Sequence, residues 1–591
     1  MHGLAKPTPM KRILTILAVF LSAPLCALHA APAPKPNIIF ILADDLGFAE
    51  IGANGSDRYK TPHIDSLAST GIRFSHFYTA PLCGPSRALI LTGRYAFRSG
   101  AVTQDACASL VRTGDKAEVM IPNVLKKAGY TTAMIGKWGQ ILPSGDAAQW
   151  GFDHMLSFKA SGIYWNKAAA AAWVKKYELA GEKGADDGVR ANPGPYHIDE
   201  KKLTLTDTEY MPDLMHSNAM AFINENKDRP FFLYYSLSHV HSQILPTPDS
   251  APPAPGSDAA SRHNQLYTDN IAYMDKLVGK LLAELDRLKL RENTVIFFMG
   301  DNGTAKAASD LATIGGRRLA GQKGGMEEGG GLVPLLVSWP GVTPAGRLTA
   351  NLADASDLLP TFAEIAGAPL PENRVIDGKS LAPQIRGETQ SPRTWVFTQL
   401  GENFHVREAA WKLNQSGQLF DMKNAPFEEI AVPADSKDEA AVAARQRLSK
   451  ALAELKPAAG FKGEGSGRGD KTKKEEKKKK ASAPSSTAAP AAPTGTTAPA
   501  AQPESKPEPA PTSVALTSEK TPDAQSAERA AKFDKLDPKK TGKLTLDDYK
   551  AHQSDPEAAA RRFEKFDVNK DGIVTRDEYI QNNATKPKKS N

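Results

Sequence analysis

Four uninterrupted apolar runs stand out in the first half of the chain, at 37–43, 131–135, 231–237 and 294–299. They are rich in β-branched and aromatic side chains and end in polar or glycine-containing turns. Runs of this length without alternation predict strands covered on both faces. Between them, 61–70, 121–128 and 267–288 place apolar residues at helical spacing. Strand and helix in alternation predict an α/β fold, a mixed, mainly parallel sheet flanked by helices.

In such sheets ligands gather beyond the carboxyl ends of the strands. Each run is followed by residues that can carry chemistry: Asp44-Asp45, Gly136-Lys137, His239 with His241, and Asp301-Asn302. Four strand ends of this kind point to one shared site. Further on, short strand-like runs at 395–399, 405–407, 411–413 and 418–422 precede a helical stretch at 440–455, which predicts a small C-terminal antiparallel subdomain.

At 591 residues the chain is long enough for at least two cores, with 41% hydrophobic and 24% charged residues, ordinary for a globular protein. Part of the +7 formal charge lies in 471–480, which holds seven lysines and two glutamates. A nucleic-acid surface would interleave aromatics with basic residues, and none do here, so no nucleic-acid partner is expected. Residues 457–520 are Lys-, Ala- and Pro-rich with few large apolar groups, and read as a disordered linker. At the start, Lys11-Arg12, an apolar run to Leu25 and small residues at Ala27, Ala30 and Ala31 read as a signal peptide over 1–30. The run is short for a membrane span, so the expectation is a periplasmic or secreted protein with no stable span after cleavage.

The C-terminal segment 525–584 reads as an all-α EF-hand pair. Asp567, Asn569 and Asp571 take the first, third and fifth places of a calcium loop, Gly572 the turn, Ile573 the backbone-carbonyl place and Glu578 the bidentate last place. In the partner loop 537–548, Lys539 stands where a ligand belongs and Asp548 where Glu is preferred, so a weak or empty site is expected.

The segment Cys83-Gly84-Pro85-Ser86-Arg87, followed by Leu91-Thr92-Gly93, carries the most specific signal. With Asp44-Asp45 after the first strand and Gly300-Asp301-Asn302-Gly303 after the fourth, the chain from 36 to 456 resembles the formylglycine-dependent sulfatases of the alkaline-phosphatase superfamily. The resemblance implies a catalytic domain over 36–390 and a subdomain over 391–456. It implies that a maturation enzyme oxidises Cys83 to formylglycine, whose hydrate attacks sulfur, expels the alcohol and then releases sulfate. It further implies one Ca2+ held by Asp44, Asp45, Asp301, Asn302 and residue 83. Hard oxygen ligands suit that ion, which would polarise sulfate oxygens.

By the same resemblance Asp301 is the base, Arg87 steadies the hydrate, and Lys137 and Lys323 bind sulfate. His241 protonates the leaving oxygen, although a shifted register would exchange it with His239. The cysteine count fits: Cys26 leaves with the signal, and a Cys83–Cys107 bridge would bury the group the motif prepares. Two positions depart from the family pattern. Gly139 replaces a histidine thought to assist sulfate release, and neighbouring Gln140 cannot shuttle protons; Leu332 replaces an arginine. The expected function is an exported sulfatase acting on sulfate esters, with a sulfated carbohydrate as substrate. The alternatives are a phosphodiesterase or phosphonate monoester hydrolase with the same nucleophile, or a non-catalytic sulfated-glycan-binding homologue. Substrate choice would lie in 146–210, where Trp150-Gly151-Phe152-Asp153 resembles a family turn and Trp165 could stack on a sugar, with core packing equally open to either tryptophan.

Overall fold

A computed structural model describes residues 34–104, 106, 117–138, 150–158, 164–177, 196–199, 201–206 and 208–457. Towards the end of the chain it describes 541–551, 571–581 and scattered positions between 533 and 569. The signal region 4–30, most of the linker, Cys107, Gly139 and Gln140 lie outside the described residues. The chain divides into two compact units, Met1–Ser482 and Ala483–Asn591.

The first unit is built on a ten-stranded sheet. Its strands are β1 (Asn37–Ala43), β2 (Ile72–Phe74), β3 (Thr131–Lys137), β4 (His154–Phe158), β5 (Tyr196–Ile198), β6 (Lys201–Leu203), β7 (Phe231–Leu237), β8 (Thr294–Gly300), β9 (Leu335–Ser338) and β10 (Arg347–Thr349). They lie in the order β10-β2-β9-β8-β1-β7-β3-β4-β5-β6. The four strands legible in the sequence are the contiguous centre, β8-β1-β7-β3, and all run parallel. β1, β7 and β8 are buried along their whole length, which is why their patterns do not alternate. The remaining six strands are three to five residues long, and gave no comparable run.

Apolar layers cover both faces. One joins Ile39, Ile41, Leu233 and Tyr235 to α1 (Pro62–Ser69), α4 (Met211–Glu225) and α5 (Ala259–Arg287). The other joins Phe40, Leu42, Phe232 and Tyr234 to α2 (Cys83–Thr92), α3 (Ile121–Lys127) and α6 (Leu358–Ala366). α5 begins eight residues before the expected 267, because Asp258 caps it by accepting from Ser261 N–H. Trp150 is buried against Trp138 with ring centroids 5.3 Å apart, and is part of the core. Of the two places open to Trp165 the structure shows the core: it packs 4.9 Å from Tyr210 and donates its indole N–H to the Pro246 carbonyl at 2.8 Å.

Beyond the large sheet, β11 (Val396–Leu400), β12 (Asn403–Arg407), β13 (Trp411–Asn414), β14 (Leu419–Asp421) and β15 (Ile430–Val432) form an antiparallel meander, followed by α7 (Glu439–Leu455). Among the described residues no helix is long and apolar enough to cross a membrane.

In the second unit two short strands, β16 (Lys543–Thr545) and β17 (Ile573–Thr575), pair antiparallel with Leu544 opposite Val574. The expectation of an all-α segment is corrected by this ladder. Each strand leads into a short helix, and Phe533, Leu544, Tyr549, Phe563 and Val574 form the unit's own core.

Candidate active site

Strand register assembles the site. Ala43 pairs with Leu237 on one side and Gly300 on the other, so β1, β7 and β8 end level. Main-chain bonds continue the ladders one step: Asp44 N–H to Leu237 O at 2.8 Å, and Asp301 N–H to Ala43 O at 3.0 Å. Asp45 then takes a left-handed conformation, φ 61°, which aspartate tolerates better than most residues. The turn brings both consecutive carboxylates to one cluster.

α2 delivers Cys83 in its first turn, and all ten of its residues are buried. Cys83 Sγ, an Asp44 oxygen and an Asp301 oxygen lie within 4.8 Å of one another. Arg87, one turn on, is locked on four sides. It donates Nε to Asp301 Oδ2 at 3.0 Å, Nη1 to Lys137 O at 2.7 Å and Ser236 Oγ at 2.8 Å, and Nη2 to Asp44 Oδ1 at 3.5 Å. Lys137, placed after its strand by the sequence reading, is its last residue, and its ammonium reaches Asp44 Oδ2 at 2.5 Å.

The outer edge holds His241 and Lys323. Lys323 Nζ lies 2.6 Å from Asp45 Oδ1 and 3.3 Å from His241 Nε2. His241 Nδ1 donates to the Ser242 carbonyl at 2.6 Å, leaving Nε2 to face the cluster. The Lys323 side chain is 17% exposed against 1% for Lys137, so anything entering meets Lys323 and His241 first. His239 is neither on the surface nor in the cluster. It is buried beside Tyr164 and Tyr273 with both ring nitrogens unbonded, and burial alone lowers it to about 3.

Electrostatics set the protonation states. Burial pushes Asp44 up, but Lys137, His241, Arg87 and Lys323 outweigh it and hold Asp44 well below the carboxylate range. Asp301 is raised by burial first and then by the Asp44 charge beside it, against Arg87. Burial also raises the Cys83 thiol, with Asp44 and Asp301 adding to the effect and the two lysines opposing it. Unmodified Cys83 is thus held as a thiol, a poor nucleophile.

The cluster fits a divalent cation. Three buried carboxylates (Asp44, Asp45, Asp301) are matched by three side-chain cations (Arg87, Lys137, Lys323), so an arriving anion would find no surplus positive charge. Asn302 donates Nδ2 to Asp45 Oδ1, yet its own Oδ1 is buried without a hydrogen-bond partner. An unpaired buried carbonyl beside three carboxylates is a hard-oxygen ligand set. Among the described residues the sets that could hold an ion are dominated by carboxylates, Asp44 and Asp301 with Cys83 and Asp44 and Asp45 with His241.

Two participants had no motif to announce them. Gln104 Oε1 accepts from Gly84 N–H at 3.1 Å and stands 3.5 Å from Cys83 Sγ. Ser236 links Arg87 to the Lys137 carbonyl from the end of β7. Ser236 could be found from the pairing of Gly136 with Ser236; Gln104 offered no signal.

In the second unit Asp567 accepts from the Gly572 amide at 2.9 Å and Asp571 accepts from Ile573 N–H at 2.9 Å. Glu578 turns back to Thr575, accepting from its N–H and hydroxyl, so the acidic side chains of this loop do not converge as those of the first unit do.

Comparison with known proteins agrees with this site. The Sulfatase family matches residues 36–368. The steryl-sulfatase of Mus musculus is 32% identical over 483 residues, covering 69% of this chain and 75% of its own. The N-acetylgalactosamine-6-sulfatase of Canis lupus familiaris is 33% identical over 392 residues, covering 63% of this chain and 70% of its own. Among solved structures, Ps i-CgsB in complex with k-i-k-neocarrahexaose aligns with TM-score 0.59 at 28% identity, covering 76% of this chain and 98% of the other. The converging Cys83, Asp44 and Asp301 lie within the matched region, and the chain belongs to the sulfatase family, as a sulfuric ester hydrolase.

Proposed function

We propose that this protein is an exported sulfatase that removes sulfate from a sulfated carbohydrate, using formylglycine formed from Cys83 and a calcium ion in the acidic cluster. The observation that carries the reading is the convergence of Cys83, Asp44 and Asp301 in a buried, charge-balanced pocket. The carbohydrate is supported by the neocarrahexaose bound to one structural relative and by the amino-sugar sulfatases among the sequence relatives.

Asp44, Asp45, Asp301 and Asn302 would hold the calcium ion, which supplies positive charge against the sulfate oxygens. Formylglycine supplies, as its hydrate, one hydroxyl for attack on sulfur and a second for release of the product. Arg87 fixes residue 83 by tying α2 to β3, β7 and β8. Asp301 accepts the proton of the attacking hydroxyl, its carboxylate steadied by Arg87 at Oδ2 and by Asp45 N–H at Oδ1. Lys137 and Lys323 flank the sulfate from the buried and open sides. His241 turns Nε2 toward the leaving oxygen, because Nδ1–H is committed to Ser242, and gives up a proton there as the imidazolium.

The tail is proposed to bind a second calcium ion through Asp567, Asn569, Asp571, the Ile573 carbonyl and Glu578. It is supported by the left-handed Gly572, φ 80°, at the turn such a loop requires. The test of the catalytic reading is mass analysis of the Cys83 peptide after co-expression with a maturation enzyme, together with sulfate release from a panel of sulfated glycans. Aldehyde at residue 83 and sulfate release are expected. An unmodified cysteine refutes the catalytic reading, and faster turnover of an aryl phosphonate than of any sulfate ester refutes the substrate class.

A further inference from the structure

Lys323 stands on a glycine-rich segment. Gly321, Gly324 and Gly325 surround it, and glycines bring neither side-chain packing nor backbone stiffness. At the lysine the backbone is pinned by Lys323 N–H to Thr304 O at 3.0 Å and Gly324 N–H to Pro81 O at 2.7 Å, and on either side it is held by residues near the antiparallel meander. Ala320 N–H donates to Pro426 O at 2.9 Å, ahead of the lysine. Behind it, Lys412 of β13 donates to Met326 O at 3.2 Å, and Glu429 accepts from Glu328 N–H at 3.0 Å while pairing with Lys412. The Glu328 carboxylate accepts Arg407 Nε of β12 at 2.9 Å and the Tyr78 hydroxyl at 2.9 Å. Arg407 is 1% exposed and Glu328 3%.

A buried ion pair is a poor source of stability, since desolvation offsets most of the attraction, and a well-packed apolar pair often serves as well. Its strength is directional: a guanidinium on a carboxylate fixes orientation. We infer that Arg407, with Lys412, is a positioning residue for the reaction, acting through Glu328 and Met326 to hold Lys323 against Asp45 and His241. The inference rests on the proposed role of Lys323 in sulfate binding. It makes the meander a working part of the site, although none of its residues belongs to the cluster.

The test uses the full chain, co-expressed with a maturation enzyme, and an aryl sulfate. Arg407→Met alone leaves Glu328 buried and unpaired, so the informative variant is Arg407→Met/Glu328→Met, which restores an apolar pair. The Tyr78 hydroxyl loses its acceptor, so a modest fall in melting temperature is expected, while kcat/KM falls roughly ten- to a hundredfold, the penalty of a misplaced group. In a Lys323→Met background the same pair of changes is expected to cost nothing further. Parental kcat/KM in the double variant, or an undiminished loss on top of Lys323→Met, overturns the inference. A Lys323→Met enzyme with parental kcat/KM overturns the role of Lys323 and the clamp with it, a pattern distinct from either. If the double variant does not fold, Lys412→Met is read by the same cycle, with recovery of kcat/KM by Lys412→Arg expected and its absence counting against the inference.

Discussion

Glu50 closes the turn that follows the Asp44-Asp45 pair, and it does so as a buried acid. One carboxylate oxygen accepts from Gly47 N–H at 2.5 Å, and the other accepts from the Tyr267 hydroxyl. Burial raises it from 4.5 to about 7, with hydrogen bonds from Tyr267, Gly47 and Thr304 opposing and the Asp45 charge adding to the rise. For an acid raised on folding, the neutral form is the one the fold favours. Stability is therefore unaffected below about pH 4.5 and is lost as pH climbs through 7. At about 1.4 kcal/mol per pH unit the full loss is about 3 kcal/mol, of which about 2.5 kcal/mol falls between pH 5 and 8.

Glu50→Gln keeps a neutral amide in the same place. Its oxygen accepts from Gly47, and its NH2 donates to the Tyr267 oxygen. Denaturant midpoints of parent and variant, measured at intervals from pH 5 to 8, isolate this one group because every other titration is common to both. The parent is expected to lose about 2.5 kcal/mol more than the variant over that range, with the variant the more stable at pH 8. Parallel curves, or a variant that loses more than the parent, would refute the burial argument.

Three further outcomes are expected. Gly136→Ala should destabilise the protein by at least about 3 kcal/mol, read as a fall in denaturant midpoint, because its φ is 120° and a Cβ would lie 1.9 Å from the Ser236 carbonyl oxygen. Gln104→Ala, which frees Gly84 N–H and removes the oxygen beside Cys83, should lower kcat on an aryl sulfate several-fold with little change in melting temperature. Glu578→Gln should remove the tighter tail site, read by calorimetry of the whole chain as one calcium fewer per protein.

The central strands were legible because a strand covered on both faces leaves an unbroken apolar run, and a strand of seven such residues can hardly be anything else. β2 and β15, three residues each and carrying Arg73 or an exposed Ala431, leave no such trace. Most of the cluster could be read because strand ends are where a parallel sheet concentrates polar groups. Its support could not: Glu328 and Arg407 are 79 positions apart, and neither residue signals the other. Trp165 stayed open between sugar and core for a related reason. An aromatic in a polar stretch reads equally as platform or core until the Tyr210 ring that covers it is in view.

The level ending of β1, β7 and β8 has a consequence for how such a chain tolerates changes in length. Side chains alternate along a strand, so one residue lost within 37–43 would put Asp45 where Asp44 meets Arg87, and one residue gained would put Ala43 there. Residues added to a surface connection would leave that phase untouched. Divergence in length is free to accumulate between the strands and barred within them, which lets one pocket persist while the surface around it is rewritten for a different substrate.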